Sequence, residues 1–317
     1  MSRQHIPQTV LDTAHARSAA RAARDWAEAD RLRAEIEAAG WKIVDRGMDF
    51  ALSPMAPADE MDGERVRFGS SAGVPSRFGD PTSGIATVVL IATDWPDDLA
   101  RALAGLRATA PIGTSIVIVA DAPSTEQAAA LDTMAPDHTI EVVWTSARLG
   151  HAAATNIGLR RSAGPVVVLL DTSLEPSGDI VTPLVRAMDD PSVAVVGGWG
   201  SASDDLRTFE DAPAGDVDAI QGDCQAFRRA DAATRGPLDE HFRGSRQLAQ
   251  WWSLVLRDEG DGEAPRRAIR LDGLPIVRHE QRGCASLPDN ERDRQSKRDF
   301  YRIIDRFGLR RDLLTRG

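Results

Sequence analysis

The chain is short of cysteine and of long apolar runs, and each shortage excludes a class of protein. Its 317 residues include two cysteines, Cys224 and Cys284, which supply neither a disulfide framework nor a Cys/His spacing for structural zinc. No apolar run approaches the roughly 20 residues that a membrane-spanning helix needs. The first residues, MSRQHIPQTV, lack the apolar core of a signal peptide. The sequence therefore predicts a soluble, cytoplasmic protein without a transmembrane segment.

Positive charge is also in short supply. Lysine and arginine number 38 against 48 aspartates and glutamates, which gives a net charge of −10. Broad, salt-driven binding to nucleic acid needs clustered positive charge, so the composition disfavours nucleic acid as a partner. Hydrophobic residues make up 42% of the chain, which is enough for a substantial core. The length allows one large domain with a small appendage, or two modest domains.

The chain before residue 85 divides into two parts by its pattern. Apolar residues recur at helical spacing over 13–39, and an extended stretch follows at 41–45. Residues 53–84 are rich in Ser, Pro, Gly, Asp and Met and show no period, which is typical of a flexible linker. We therefore predict a helical module over 1–52, a linker over 53–84 and a main domain over 85–317.

The main domain begins with a regular alternation of strands and helices. Short apolar runs alternate with stretches of helical periodicity. The pattern predicts strands over 85–92, 115–120, 140–144, 166–170 and 193–197, and helices over 95–106, 124–131, 150–161 and 180–188. Such alternation is typical of an α/β fold with a Rossmann-like, mostly parallel sheet.

The stretch GPVVVLLDTS carries the most informative local signal. An uninterrupted apolar run, Val166–Leu170, stops at Asp171, as in a strand that is buried on both faces of a parallel sheet. Ligands of open α/β sheets bind at the carboxyl ends of such strands. Asp171 is therefore placed to hold a metal, a ribose or a phosphate. An ordinary strand end with a turn-forming aspartate is the alternative that this stretch alone leaves open.

A wider pattern connects five segments of the main domain. In order, they read VVLIATDWPDDLARALAGL, IVIVADAPSTE, RLGHAAATNIGLRRSAGPVVVLLDTS, VDAIQGDCQAFRRADAATRGPLDEHF and RHEQRGCAS. Together they resemble the family 2 glycosyltransferases of the A-type fold, over about residues 85–308. The resemblance implies a nucleotide-sugar half over 85–200, and an acceptor half with a C-terminal helix over 201–317. It also implies transfer of a sugar from a nucleoside-diphosphate donor to a glycan, lipid or protein acceptor, with inversion and with Mg²⁺ or Mn²⁺.

The resemblance implies binding roles for individual residues. Thr93 and Asp121 follow the first and second strands and would contact the nucleotide, as Asp171 would. Asp171 would also hold the metal. Ser173 stands where the family has the second acid of an Asp-x-Asp motif, and a hydroxyl can ligate magnesium without adding charge. His279 lies in a late segment that the family places near the diphosphate, and it is the third predicted metal ligand.

The nearby Glu175 is an alternative source of the missing negative charge. Its sequence position leaves the direction of its side chain open.

The catalytic base is where the sequence departs furthest from the family. An inverting transferase needs a group that takes the proton from the acceptor hydroxyl. Leu248 and Ala249 stand where the family has an acidic pair, and neither can accept a proton. Asp239 and Glu240 are therefore candidate bases, with the acids of the polar loop 204–211 as alternatives. The same departures favour a second hypothesis, a catalytically degenerate protein that binds a nucleotide, a glycan or a protein partner.

Residues 19–50 resemble the C-terminal helical piece of cysteinyl-tRNA synthetases. No nucleotide-binding or zinc-binding signature of those enzymes occurs elsewhere in the chain, so aminoacylation is not implied. Charges of the two signs nearly balance here, which weakens an RNA-binding interpretation. A helical pair that packs or binds a protein partner is the simpler interpretation, and association with RNA is the alternative.

Overall fold

Two compact units make up the chain. The computed structural model describes residues 6–47, 49–135, 137–260 and 262–315. The units are Met1–Pro57 and Ala58–Gly317, so their boundary falls inside the predicted linker 53–84. Among the described helices, none is both long enough and apolar enough to cross a bilayer.

The first unit is a helical pair followed by a β-hairpin. Its elements are α1 (Gln8–Ala22), α2 (Trp26–Ala38), β1 (Trp41–Arg46) and β2 (Asp49–Pro54), with β1 antiparallel to β2. Helix α2 begins after a capping aspartate, because the Asp25 carboxylate accepts the N–H of Glu28 at 3.1 Å. A small apolar core includes Trp41, and the buried Arg17 donates to Asp45 at 2.7 Å. The helical spacing of the sequence thus corresponds to two separate helices.

The second unit alternates strands and helices along the chain. Its strands are β3 (Glu60–Asp62), β4 (Arg65–Phe68), β5 (Ala86–Ala92), β6 (Thr114–Ala120), β7 (Ile140–Thr145), β8 (Val166–Leu170), β9 (Leu174–Pro176), β10 (Val193–Gly197), β11 (Gly200–Ala202), β12 (Glu210–Ala212), β13 (Gly215–Val217), β14 (Ala219–Ile220), β15 (Cys224–Arg228), β16 (Arg267–Arg270) and β17 (Ile276–Arg278). Its helices are α3 (Pro96–Thr109), α4 (Thr125–Asp132), α5 (His151–Arg161), α6 (Val181–Ala187), α7 (Arg229–Arg235), α8 (Ser245–Arg257), α9 (Arg282–Ala285) and α10 (Asp289–Phe307), and a short 3₁₀ turn follows at Arg311–Leu313.

Among the described residues, ten strands form one sheet in the order β13-β16-β10-β15-β8-β5-β6-β7-β4-β3. Neighbouring strands from β8 through β5, β6 and β7 to β4 are parallel. Strand β15 inserts between β8 and β10 and is antiparallel to both. The predicted α/β fold is therefore confirmed, while the sheet is mixed beyond β8. The alternation of predicted elements gave no sign of β15, because this strand follows a run of short strands rather than a helix.

Residues 60–74 are more ordered than their composition predicts. Strand β4 pairs in parallel with the end of β7, and β3 forms an edge of the sheet. Val74 is 1% exposed in the core of the second unit, and its carbonyl accepts a hydrogen bond from Arg160 at 2.7 Å. The structure thus differs here from the expected flexible linker. The reason is that two apolar residues of a polar segment, Phe68 and Val74, pack against the sheet.

Replacing Val74 by alanine is expected to lower the free energy of unfolding by about 1–3 kcal/mol, because it removes buried methyl groups from the core. Met61 lies in the same segment and is 67% exposed, which makes Met61→Ala the matched control. Its expected change stays within about 0.5 kcal/mol. Urea unfolding followed by circular dichroism measures both. A negligible effect of Val74→Ala would mean that this segment behaves as a linker.

Candidate active site

A polar cleft of about 480 Å³ lies at the carboxyl ends of β5 and β8. Its floor includes Thr93, which follows β5, and Asp171 and Ser173, which follow β8. Its walls come from the first turns of α3, α8 and α10 and from the segment 281–283. The volume is typical of small-ligand sites, and the position is the edge at which open α/β sheets bind ligands.

Asp171 reaches this cleft because of the strand pair that carries it. Strand β8 pairs with β15, with Leu170 opposite Cys224, and the backbone N–H of Asp171 donates to the carbonyl oxygen of Asp223 at 2.8 Å. The backbone N–H and the hydroxyl of Ser173 both donate to Asp171 Oδ1, at 2.8 Å and 2.5 Å. The structure thus brings together two of the three residues that the sequence predicts to hold a metal.

The third predicted ligand, His279, has another partner. Its Nε2 lies 2.8 Å from Glu175 Oε2, and its backbone N–H donates to the carbonyl oxygen of Ser173 at 2.9 Å. Strands β9 and β17 pair here, with Leu174 opposite Arg278. The His279 ring is therefore engaged with Glu175 and does not line the cleft.

The donor atoms at Asp171 and Ser173 suit a hard divalent cation, because both offer oxygen. Magnesium sites of enzymes that bind phosphates use one or two carboxylates together with the phosphates of the ligand. Within the described part of the chain, no cluster of three or more His, Cys, Asp or Glu side chains could hold a metal. The residues present therefore fit a cation that binds together with a diphosphate, and they do not fit one that is held by the protein alone.

A second carboxylate, Asp223, lies behind the cleft and holds one of its walls. It accepts hydrogen bonds from Gln281 Nε2 at 2.5 Å and from the guanidinium of Arg278. Burial raises the pKa of Asp223, the charge of Arg278 opposes this, and the negative charge of Asp171 adds to it. Because Gln281 lines the cleft, Asp223 fixes that wall relative to the floor.

Of the two other predicted nucleotide contacts, Thr93 lines the cleft and Asp121 does not. Asp121 is 1% exposed. Its Oδ1 accepts the N–H of Leu149 at 2.8 Å, and its Oδ2 accepts the N–H of Gly150 at 3.0 Å. The hydroxyl of Thr145 donates to Oδ1 at 3.1 Å. The carboxylate of Asp121 therefore supports the loop that leads into α5.

The candidate bases Asp239 and Glu240 are also engaged elsewhere. Asp239 pairs with Arg302 at 3.0 Å, and Glu240 Oε1 accepts from Asn156 Nδ2 at 2.9 Å and from the hydroxyl of Ser71. These contacts tie the segment before α8 to α5 and α10, and neither carboxylate lines the cleft. The acids of the loop 204–211 do not line it either.

Leu248 and Ala249 are buried in the first half of α8. They belong to the packed side of that helix, and the cleft instead meets the helix at its first residues, Ser245, Arg246 and Gln247.

The cleft residues that the sequence analysis did not predict include His151, Arg243 and Asp293. Burial lowers the pKa of His151, and the nearby charges of Asp171 and Asp121 oppose this shift. Its position carried a usable signal, because it begins a predicted helix just after a strand end. Arg243 and Asp293 carried none, since they reach the cleft only through the packing of α8 and α10.

Solved glycosyltransferases have similar folds. The mannosyltransferase PcManGT from Pyrobaculum calidifontis, solved with GDP-Man and Mn²⁺, is 19% identical with a TM-score of 0.56, over 76% of this chain and 71% of that chain. GalNAc-T7, solved with UDP, GalNAc and Mn²⁺, is 15% identical with a TM-score of 0.53, over 70% of this chain and 48% of its own. S. aureus TarS 1–349 is 13% identical with a TM-score of 0.50, over 69% of this chain and 63% of its own. At these identities the likeness shows the fold, and it confirms the predicted A-type architecture.

A short segment is similar to a different enzyme. Over 49 residues the chain is 47% identical to the cysteine–tRNA ligase of Opitutus terrae. The match covers 16% of this chain and 11% of the ligase, so the chain spans only a small part of that enzyme. The predicted local resemblance is confirmed, and it extends no further.

The family model of glycosyl transferase family 2 matches residues 87–243. The matched range begins in β5 and ends just before α8, so it includes Thr93, Asp171 and Ser173 on the cleft floor. Residues 87–243 are therefore similar to glycosyl transferase family 2, and the second unit has the A-type fold.

Proposed function

We propose that the chain transfers a sugar from a nucleoside-diphosphate donor to a hydroxyl of a glycan, lipid or protein acceptor, assisted by Mg²⁺ or Mn²⁺. The observation that carries this proposal is the position of Asp171, a carboxylate on the floor of a polar cleft at the carboxyl edge of the sheet. The family domain supports it. So do the ligands with which two proteins of the same fold were solved, GDP-Man and Mn²⁺ in one, and UDP and Mn²⁺ in the other.

In this proposal Asp171 and Ser173 would hold the cation together with the phosphates of the donor. A bound divalent cation neutralises the negative charge that develops on a departing diphosphate. Ser173 donates its hydroxyl hydrogen to Asp171 and so fixes the direction of that carboxylate. Thr93 lines the same cleft and would contact the nucleotide.

We further infer that the reaction inverts the sugar carbon. The acceptor oxygen forms a bond to that carbon from the face opposite the diphosphate, while the bond to the diphosphate oxygen breaks. The acceptor proton must then move to a base on the far side of the cleft.

Asp293 is the carboxylate whose position suits this base. The cleft-lining acids are Asp98, Asp171 and Asp293. Asp98 is buried in pairs with Arg101 and Arg282, and Asp171 is assigned to the cation. Asp293 is exposed in the first turns of α10 and has no ion pair or side-chain hydrogen bond among the described residues. It is therefore free to receive a proton.

The alternative is a protein that binds a nucleotide, a glycan or a protein partner without turnover. The observation that favours it is the burial of Leu248 and Ala249 in α8, where the family resemblance expects an acidic pair. A donor that binds but is never consumed, with any acceptor supplied, would support this alternative.

Calorimetry with GDP and UDP, with and without Mn²⁺, tests donor binding. We expect a nucleotide to bind in the presence of Mn²⁺ and expect little heat from Mn²⁺ alone, because the protein offers one carboxylate. Asp171→Asn is expected to weaken Mn²⁺-dependent binding by roughly tenfold or more, since interactions with a charged partner contribute about 1.5–3 kcal/mol. Asp97→Asn, an exposed change on α3 outside the cleft, is the matched control. If neither nucleotide binds, the proposed function is wrong.

Asp293→Asn tests the base. The variant is expected to keep donor affinity and to lose about 100-fold or more in the rate of sugar transfer, the usual contribution of a general base. Transfer can be followed by release of nucleoside diphosphate, and the Asp97→Asn protein again provides the comparison. If turnover is unchanged in Asp293→Asn, a group other than Asp293 takes the proton from the acceptor hydroxyl.

Asp121→Ala tests whether the Asp121 carboxylate supports the fold or contacts the nucleotide. Loss of the carboxylate leaves the N–H groups of Leu149 and Gly150 without their acceptor, and we expect a loss of about 2–4 kcal/mol in the free energy of unfolding. Asp121→Asn keeps one acceptor oxygen and is expected to lose less. Urea denaturation measures both variants. Weaker nucleotide binding at unchanged stability would instead indicate a direct contact between Asp121 and the nucleotide.

A further inference from the structure

Among the described residues, four arginines line the cleft, and three of them pair with carboxylates. The pairs are Arg246 with Asp211 at 3.6 Å, Arg282 with Asp98 at 3.3 Å, and Arg292 with Asp289. The fourth, Arg243, makes no ion pair, and its guanidinium makes no hydrogen bond to any described residue. Its Nε is buried without a partner. Because buried donors without partners are rare and costly, the partner of Arg243 is to be sought in a ligand.

The backbone of Arg243 is held firmly from behind. The N–H groups of Arg243 and Gly244 both donate to Asp299 Oδ2, at 2.9 Å and 2.6 Å. Asp299 is fully buried on α10. The arginine is thus presented to the cleft from a rigid turn.

Asp299 does not satisfy the guanidinium itself. One of its oxygens is used by the two backbone N–H groups, and the other, Oδ1, is buried without a hydrogen-bond partner. A direct ion pair between Asp299 and Arg243 is therefore absent in this part of the structure. The carboxylate orients the turn and leaves the donors of the side chain available.

The guanidinium lies next to the start of α5. A Cβ added to Gly150 would be 3.7 Å from Arg243 Nη1, and Gly150 directly precedes the helix. The first N–H groups of a helix have no partner within the helix and favour anions. His151 begins α5 and also lines the cleft, and Asp171 is close enough to influence its pKa. Arg243 is therefore on the side of the cleft where the cation and its phosphates are proposed to sit.

We propose that Arg243 binds phosphate oxygens of a ligand in the cleft and so acts as a specificity-determining residue. The planar guanidinium offers paired N–H donors that match the geometry of a phosphate. This inference rests on the proposed function, because the cleft is taken to hold a nucleoside diphosphate. Two sources share the chemistry: the diphosphate of the donor, and a phosphate group carried by the acceptor.

Arg243→Gln is the decisive variant. It keeps a polar side chain of similar length, and it removes both the charge and the paired N–H donors of the guanidinium. Arg243→Lys keeps the positive charge but lacks the paired N–H donors of the guanidinium. Arg294→Gln is the control for net charge, since Arg294 is on α10, is 67% exposed and does not line the cleft. Circular dichroism melts establish that each variant is folded, and Arg243→Lys carries the test if Arg243→Gln is not.

Two arms of a calorimetric experiment distinguish the sources. In the first, GDP or UDP with Mn²⁺ is compared with the uncharged nucleoside. If the donor diphosphate is bound, Arg243→Gln is expected to weaken the diphosphate by roughly ten- to a hundredfold and to leave the nucleoside unchanged. Arg243→Lys is expected to lose less, and Arg294→Gln no more than about twofold, because an exposed charge is screened.

In the second arm, glycerol phosphate is titrated into protein already saturated with nucleotide and Mn²⁺. Loss of this binding in Arg243→Gln, with nucleotide affinity unchanged, would assign Arg243 to a phosphate of the acceptor. Unchanged affinities in both arms for a folded variant overturn the proposal. If the wild-type protein binds neither nucleotide, the proposed function fails, and glycerol phosphate titrated without nucleotide then decides the role of Arg243 by itself.

Discussion

The candidate site depends on one backbone hydrogen bond, from the N–H of Asp171 to the carbonyl oxygen of Asp223. This bond continues the β8–β15 ladder for one residue past the end of β8, so the chain turns immediately after Asp171. The turn is then closed by Ser173, whose N–H and hydroxyl both donate to the Asp171 carboxylate. The backbone of Asp171 is thus fixed by Asp223, and its carboxylate is fixed by Ser173. A side chain that is already oriented in this way has few conformations to lose when a cation binds. An antiparallel strand inside a largely parallel sheet thus determines the position of the carboxylate that we propose to bind the cation.

Three buried carboxylates hold segments of the cleft wall in place by binding their side chains or backbone N–H groups. Asp223 binds Arg278 and Gln281, and Asp98 pairs with Arg282. Asp299 binds the two N–H groups at the turn before α8. Burial raises the pKa of Asp223 and of Asp299, while their hydrogen-bond donors act in the opposite direction. Asp223 and Asp299 do not line the cleft, so they act on a ligand through the groups that they orient.

The sequence pattern predicted the strands and helices around the floor of the cleft, because these elements depend on residues that are close together in the sequence. The apolar run 166–170 coincides with β8, and Ser124 caps α4 by accepting the N–H of Gln127 at 3.2 Å. Asp94 lies just before α3 but does not cap that helix. Its carboxylate instead accepts two hydrogen bonds from the guanidinium of Arg148, which is distant in sequence.

The acceptor side of the cleft could not be predicted in the same way, because its residues meet only in the folded chain. Asp239 looked like a base by its place in the matched segment, and the structure pairs it with Arg302 on α10. His279 looked like a metal ligand, and it pairs with Glu175 across two short strands. In both cases a partner that is distant in sequence decides the environment of the side chain. Such partners leave no periodic trace in the sequence.

Helix α10 supplies a wall of the cleft from the last part of the second unit, long after the strands of the floor in chain order. During synthesis the floor therefore leaves the ribosome well before the helix that faces it. A nascent chain at that stage has a sheet edge with Asp171 on it and no opposite wall. Competence to enclose a ligand is consequently a late event in the biogenesis of this protein, because the wall from α10 is completed last.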